Sequence, residues 1–178
     1  MRRKMLVHTC CAPCLYYPMR QLEKENFEIY VYWYNPNIHG WREYNKRRMT
    51  LGYYLAKKDT VTIMESPYEI ESWFSATSGF SGKDQRCRLC YRMRLRCAAR
   101  TAVKKEMDLF TTTLLYSKFQ NYDHIVEEGL RAASEEGVEF YQKDFRVGWK
   151  EGIEESKEEK IYRQEYCGCI YSETERYS

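Results

Sequence analysis

Residues 5–14 read MLVHTCCAPC, and the fold follows from how this stretch is built. An apolar run of strand length, Met5–Thr9, breaks abruptly into three cysteines, Cys10, Cys11 and Cys14, with Ala12 and Pro13 suited to open a helix. The same alternation repeats outward. Further apolar runs occur at Glu28–Tyr34, Thr60–Met64, Leu109–Thr113 and Val138–Tyr141, each followed by a longer segment able to be helical. Trp41, Tyr44, Leu51 and Leu55 make one helical stripe; Tyr91, Leu95, Ala98 and Ala102 a second; Val126, Leu130 and Ala133 a third. Strand–helix alternation predicts an α/β domain with a parallel sheet. Right-handed crossovers then place the strand ends along one edge, where ligands bind. No repeat, low-complexity tract or linker interrupts the pattern, so residues 1–178 are expected to form one domain, its last part helical from about Gly152 and then irregular as it wraps back.

The eight cysteines carry the chemistry. Cys10, Cys11 and Cys14 fall at the carboxyl end of the first strand, on the ligand-binding edge. Cys87 and Cys90, in RCRLCYRMRL, are three apart, so a first helical turn would aim both thiols the same way and its N-terminus would favour the thiolate. Cys167 and Cys169 flank Gly168, which permits a tight turn near a metal or ligand. Cys97 lies seven residues beyond Cys90, about 10 Å along a helix axis, and reads as core. Seven converging thiols exceed the four that an iron–sulfur cluster or a structural zinc requires. Spacing alone leaves three readings: a metal cluster, a closed zinc site, or a thiol–disulfide centre. Adjacent Cys10 and Cys11 suit a zinc knuckle poorly, because its ligand pairs are spaced two to four apart.

Composition bounds the rest. Hydrophobic residues make up 43% and charged residues 31%, ordinary for a globular chain, and no run approaches the roughly 20 apolar residues of a membrane span. MRRKMLVHTCC has no apolar run of secretory type ahead of its cysteines, which makes the cytoplasm the expected compartment and metal or redox work the expected use of the thiols. A net charge of +3 is too mild to mark a nucleic-acid binder, although arginines crowd between Arg86 and Arg100. That run suits either a phosphate-facing surface or a solvated helix face. The 17 tyrosines suit either stacked bases or the edge of a core. Ser117, Lys118 and Asn121 in TTTLLYSKFQN suit an anion at a helix start or plain N-capping, and His39 in YNPNIHG suits substrate binding or a structural role. Asp144, in KDFR, offers an acid or a metal ligand, or else a surface ion pair. No GxxxxGK[ST] or GxGxxG stretch invites a nucleoside triphosphate or a nicotinamide dinucleotide.

In order, HTCCAPC, YNPNIHG, RCRLCYRMRL, FTTTLLYSKFQN, KDFRVGWKEG and SKEEKIYRQEYCGCIYS span almost the whole chain, and together they resemble the QueH-type epoxyqueuosine reductases. The resemblance implies a Rossmann-like parallel sheet related to the adenine-nucleotide hydrolase-like fold. It implies reduction of the epoxide of epoxyqueuosine to queuosine at the tRNA wobble position, independent of cobalamin and fed by an external electron donor. It implies a 4Fe–4S cluster, with or without a second, mononuclear iron. Carried over motif by motif, Cys10, Cys11, Cys87 and Cys90 would bind the cluster and Cys14 the neighbouring metal. Cys167 and Cys169 would be a redox pair or further ligands. Removing an epoxide oxygen also takes two protons, for which Asp144 or a bound water is the candidate source. Members of the family commonly carry an acid and paired glycines before the second cysteine motif; here that stretch reads SGKDQRC, with Asp84 the nearest acid. Two rival readings stand beside this one: a zinc-stabilised RNA-binding module, and a thiol–disulfide oxidoreductase working through Cys167 and Cys169.

Overall fold

The computed structural model describes residues 2–58 and 62–178. Five parallel strands, β1 (Lys4–His8), β2 (Glu28–Trp33), β3 (Thr62–Glu65), β4 (Leu109–Thr112) and β5 (Glu139–Phe140), form one sheet in the order β3-β2-β1-β4-β5. The central strands read as unbroken apolar runs because helices cover both faces; Met5, Leu6 and Val7 are all fully buried. This is the parallel sheet that the alternation predicts and the Rossmann-like one that the resemblance implies. Part of the third run, Thr60 and Val61, lies outside the described residues.

Among the described residues seven α-helices complete the fold: α1 (Ala12–Lys24), α2 (Trp41–Leu55), α3 (Ile70–Thr77), α4 (Lys83–Lys104), α5 (Tyr122–Glu136), α6 (Trp149–Glu158) and α7 (Ile170–Tyr177). In α2 the stripe is as expected except for Trp41, which is largely exposed and stacks on Tyr44. In α5 Val126 and Ala133 pack against the core as the stripe predicts, while Leu130 is half-exposed and the most buried positions are Ile125, Glu128, Gly129 and Ala132. Two local causes shift the buried face. Gly129 lies under Phe140, whose ring a Cβ would meet at 2.4 Å, and Glu128 turns inward to meet arginines of α4.

That meeting decides the fate of the arginine run. Arg88 and Arg92 both bind the carboxylate of Glu128, only 1% exposed, while Arg96 and Arg100 pair with Glu136. Spaced four apart, these half-exposed arginines form a ladder along the α4–α5 interface, each paired with a glutamate of α5. Many tyrosines are likewise spent on packing: Tyr16 lies against Tyr54, and Tyr32 stacks on Tyr34.

The chain order reverses between β1 and β4, and their carboxyl ends therefore open a crevice. A chain of hydrogen bonds fixes this edge. Leu114 N donates to Thr112 Oγ1 at 3.1 Å, the Thr112 hydroxyl meets His8 Nδ1 at 2.8 Å, and His8 Nε2 meets the Tyr34 carbonyl at 3.1 Å. A carbonyl only accepts, so the network assigns the ring proton to Nε2. Burial, with Arg94 nearby, lowers the His8 pKa to about 3, and the ring stays neutral.

Candidate metal and redox site

At the switch point the chain leaves β1 and presents Cys10, whose backbone N–H donates to Thr113 Oγ1 at 3.2 Å just beyond β4. The Sγ atoms of Cys10, Cys11 and Cys14 all lie within 4.8 Å of one another, those of Cys10 and Cys11 3.8 Å apart. α1 makes this possible. Cys11 is its N-cap residue, and Cys14 sits in its first turn, three residues on.

The other motifs reach the same place. Cys10, Cys14, Cys87, Cys90, Cys167 and Cys169 all line one cavity of about 650 Å³. Cys11 lies immediately beside it, and all eight cysteines of the chain are free thiols. Cys97 is elsewhere, 3.2 Å from the Tyr32 hydroxyl, as a core position should be.

Thiol ionisation follows burial and neighbours. Hydrogen bonds from Cys11 and Cys14, with Arg94 and Thr113 adding to them, hold Cys10 well below the usual thiol range, while Cys11 and Cys14 are raised. Burial pushes Cys87 up to about 11 and Cys167 up to about 12, and it raises Cys90. The expectation for Cys87 needs correcting here. α4 begins at Lys83, so Cys87 sits beyond the first turn and loses the benefit of the helix N-terminus.

The C-terminal segment closes the cavity through contacts that spacing alone did not reveal. Arg47 is buried in α2 and donates from Nε to Glu43 at 2.6 Å, from Nη1 to the Cys167 carbonyl at 2.9 Å and from Nη2 to the Tyr166 carbonyl at 3.2 Å. His39 is buried against Trp73 and Phe74; its backbone N–H donates to the Gly168 carbonyl at 2.8 Å and its ring Nδ1 accepts from Ile170 N at 2.9 Å. The histidine therefore holds the YCGC turn in position. Gln164 places Nε2 2.7 Å from Cys11 Sγ, and its buried Oε1 has no protein partner. α7 is pinned across the cavity by Lys83–Glu175 at 2.6 Å and by Arg86, 4.0 Å above the Tyr171 ring.

Both acidic candidates fall outside. Asp144 caps the turn at Phe145–Gly148, accepting from Arg146 N at 2.9 Å and from its guanidinium at 2.8 and 2.7 Å. Those bonds, led by the Arg146 side chain, hold its carboxyl below the usual range, and it does not line the cavity. Asp84 is exposed, 3.6 Å from His124 Nδ1. Asn121 N-caps α5 through His124 N, Ser117 Oγ accepts from Phe119 N, and Lys118 is solvent-exposed, so this loop follows its capping reading. Phe119, 83% exposed, stands at the cavity mouth edge-on to Trp149 with centroids 5.5 Å apart.

A doubly wound α/β sheet with a thiol-lined cavity at its switch point defines a Rossmann-like protein equipped for metal or redox chemistry. The family profile described as epoxyqueuosine reductase QueH matches residues 5–175, and the chain belongs to that family of oxidoreductases. It is 35% identical to the epoxyqueuosine reductase QueH of Dehalococcoides mccartyi over 99% of this chain and 96% of that one. Identity to the Thermotoga maritima protein of the same name is also 35%, over 97% of this chain and 91% of its relative. With the Haemophilus influenzae protein it is 36%, covering 95% and 71%. Among solved structures, a predicted subunit of tRNA methyltransferase from Methanocaldococcus jannaschii superposes with a TM-score of 0.52 at 10% identity, covering 88% of this chain and 75% of that one. That likeness speaks to the fold alone.

Proposed function

We propose that this chain reduces the epoxide of epoxyqueuosine to the cyclopentene of queuosine in tRNA, using an iron–sulfur centre held by the cysteines of the switch-point cavity. Family membership across residues 5–175 supports the reaction, and the convergence of three cysteine motifs on one cavity supports the cofactor. The donor set is the best test of fit. Clustered sulfur donors select soft or borderline metals, and seven thiols exceed what a closed zinc site takes. The buried, unpartnered Gln164 Oε1 and Arg94 Nε in the same wall add polar atoms that protein groups leave unsatisfied. Following the family resemblance, Cys10, Cys11, Cys87 and Cys90 are assigned to a 4Fe–4S cluster and Cys14 to a neighbouring iron. Cys167 and Cys169 serve as a redox pair or as further ligands.

The overall reaction breaks both epoxide C–O bonds, forms the C=C bond, consumes two electrons and two protons, and releases the oxygen as water. When bound, an iron–sulfur centre supplies single-electron transfer and, at an iron with an open position, Lewis acidity towards oxygen. The protein's own part is positioning. Arg47 and His39 hold the YCGC turn over the cavity, and Gln164 orients towards the Cys11 sulfur. Phe119 and Trp149 offer aromatic faces at the mouth, where the extruded nucleoside enters and its base stacks. Protons come from water or from thiols, since Asp144 is tied up by Arg146 away from the cavity. The electrons come from an external one-electron donor, and the reaction belongs in the cytoplasm, where tRNA is modified.

The test is turnover. Anaerobically reconstituted protein, a chemical reductant and epoxyqueuosine-containing tRNA should yield queuosine on nucleoside analysis, and the Cys10→Ala protein should yield none. Unchanged epoxyqueuosine with fully loaded wild-type protein would refute the proposal.

A further inference from the structure

Most arginines of α4 find carboxylates, but Arg94 does not. It is 1% exposed, and among the described residues no Asp or Glu lies within salt-bridge distance of it. Arg88, Arg92, Arg96 and Arg100 on the same helix are each paired with glutamates of α5. Arg47, the other buried arginine, has Glu43. An isolated buried cation is costly, because the guanidinium gives up its hydration and nothing anionic replaces it.

The surroundings supply the missing anions. Arg94 lines the thiol cavity one helical turn after Cys90. Cys90, Cys10 and Cys167, one from each cysteine motif, line the same cavity, and as metal-bound thiolates each would bring a negative charge to it. Its orientation is fixed. Nη2 donates to Asn35 Oδ1 at 2.7 Å, and Asn35 Nδ2 in turn donates to the carbonyl of Thr9 at 2.9 Å, the residue just before Cys10. Nε is left without a protein partner.

We propose that Arg94 is the fixed counter-charge of this cavity, stabilising the thiolates that ligate its metal and raising the reduction potential of the centre they hold. The inference rests on the metal-centre reading given above. Thiolate ligation loads the cavity with negative charge, and each electron accepted adds more. A buried cation within the same wall offsets that charge and favours the reduced form, through the net-charge and hydrogen-bond effects that set cluster potentials. Arg94 is thus a positioning and tuning residue that acts through the cysteines.

The experiment compares wild type, Arg94→Lys and Arg94→Gln. Each is purified and reconstituted anaerobically, then measured for metal content per chain, for reduction potential by EPR-monitored titration, and for the melting temperature of the metal-free protein. Metal-free Arg94→Gln should melt no lower than metal-free wild type, since the unpaired cation is gone. It should nevertheless bind several-fold less metal, and the centre it does form should titrate at a more negative potential. Arg94→Lys should recover most of the metal. Wild-type metal content and potential in Arg94→Gln would overturn the proposal. So would equal metal loss in both variants, or a metal-free Arg94→Gln protein that is less stable than wild type, which would mark Arg94 as purely structural. If wild type carries zinc, the iron–sulfur reading fails separately, and zinc content across the three proteins still tests Arg94. A wild-type chain that binds neither metal refutes both.

Discussion

The Nη1 of Arg47 donates to the carbonyl oxygen of Cys167 at 2.9 Å, across 120 residues of sequence. One guanidinium fork thereby ties α2 to the last cysteine motif, with Glu43 holding its other edge. Removing it leaves the Tyr166 and Cys167 carbonyls and the Glu43 carboxylate short of a donor. Arg47→Ala should cost about 2–4 kcal/mol of stability in thermal or denaturant unfolding, given its burial. It should also lower metal content. Arg47→Lys should not restore either, because a single ammonium cannot serve three acceptors spread along a planar fork. Full recovery by lysine would contradict this role.

Gly168 adopts φ +126°, and a Cβ there would lie 2.9 Å from Ile38 Cγ1 and 3.2 Å from Arg47 Nη1. Gly168→Ala should therefore displace the YCGC turn, at a cost of about 1–3 kcal/mol, and lower turnover more than overall fold content. Circular dichroism alongside the nucleoside assay separates the two. Wild-type turnover in the variant would show that the turn tolerates a side chain.

Glu128 ties α5 to α4. Burial pushes its carboxyl up, but hydrogen bonds from Arg92 and Arg88 outweigh burial and hold it below its ordinary 4.5. Its stabilising contribution is complete above about pH 4.5 and is lost as pH falls through the lower value it has in the fold. Glu128→Gln should destabilise by about 1–3 kcal/mol at pH 7, the arginines being half-exposed and readily rehydrated. The gap between variant and wild type should narrow in acid. Unfolding curves from pH 7 down to pH 3 measure it, and a gap that widens in acid would have the wrong sign.

Phe119 keeps 83% of its surface exposed at the mouth of the cavity. Phe119→Ala should leave metal content and stability unchanged while weakening tRNA binding by roughly 5- to 100-fold, the worth of one stacked base. Phe119→Tyr should preserve affinity. Unchanged affinity in the alanine variant would remove Phe119 from the nucleic-acid surface.

The sheet was legible in the sequence because its buried strands read as continuous apolar runs, and the place of the first cysteine motif followed from where β1 ends; the seat of the last motif depends on contacts from Arg47 and His39 that appear only in three dimensions. In α5 the stripe found Val126 and Ala133 but not the most buried positions, because Gly129 and Glu128 point inward and neither looks apolar in sequence. The arginine run was ambiguous because its glutamate partners lie about 40 residues away, so pairing across α4 and α5 appears only in three dimensions. Arg47, Arg94 and Gln164 were hidden for the same reason. A polar residue in a helix or loop gives no local sign that the fold will bury it beside a thiol. Asp144 is the converse, an acid whose neighbour two residues along, Arg146, already occupies it.

The most direct test of the central claim is iron and sulfide content, with the visible spectrum, of wild-type protein purified without oxygen. The cavity reading requires a brown protein with about four irons and four sulfides per chain, or about five irons if Cys14 holds its own. A colourless protein with one tightly held zinc would contradict it and return the cysteines to a structural role.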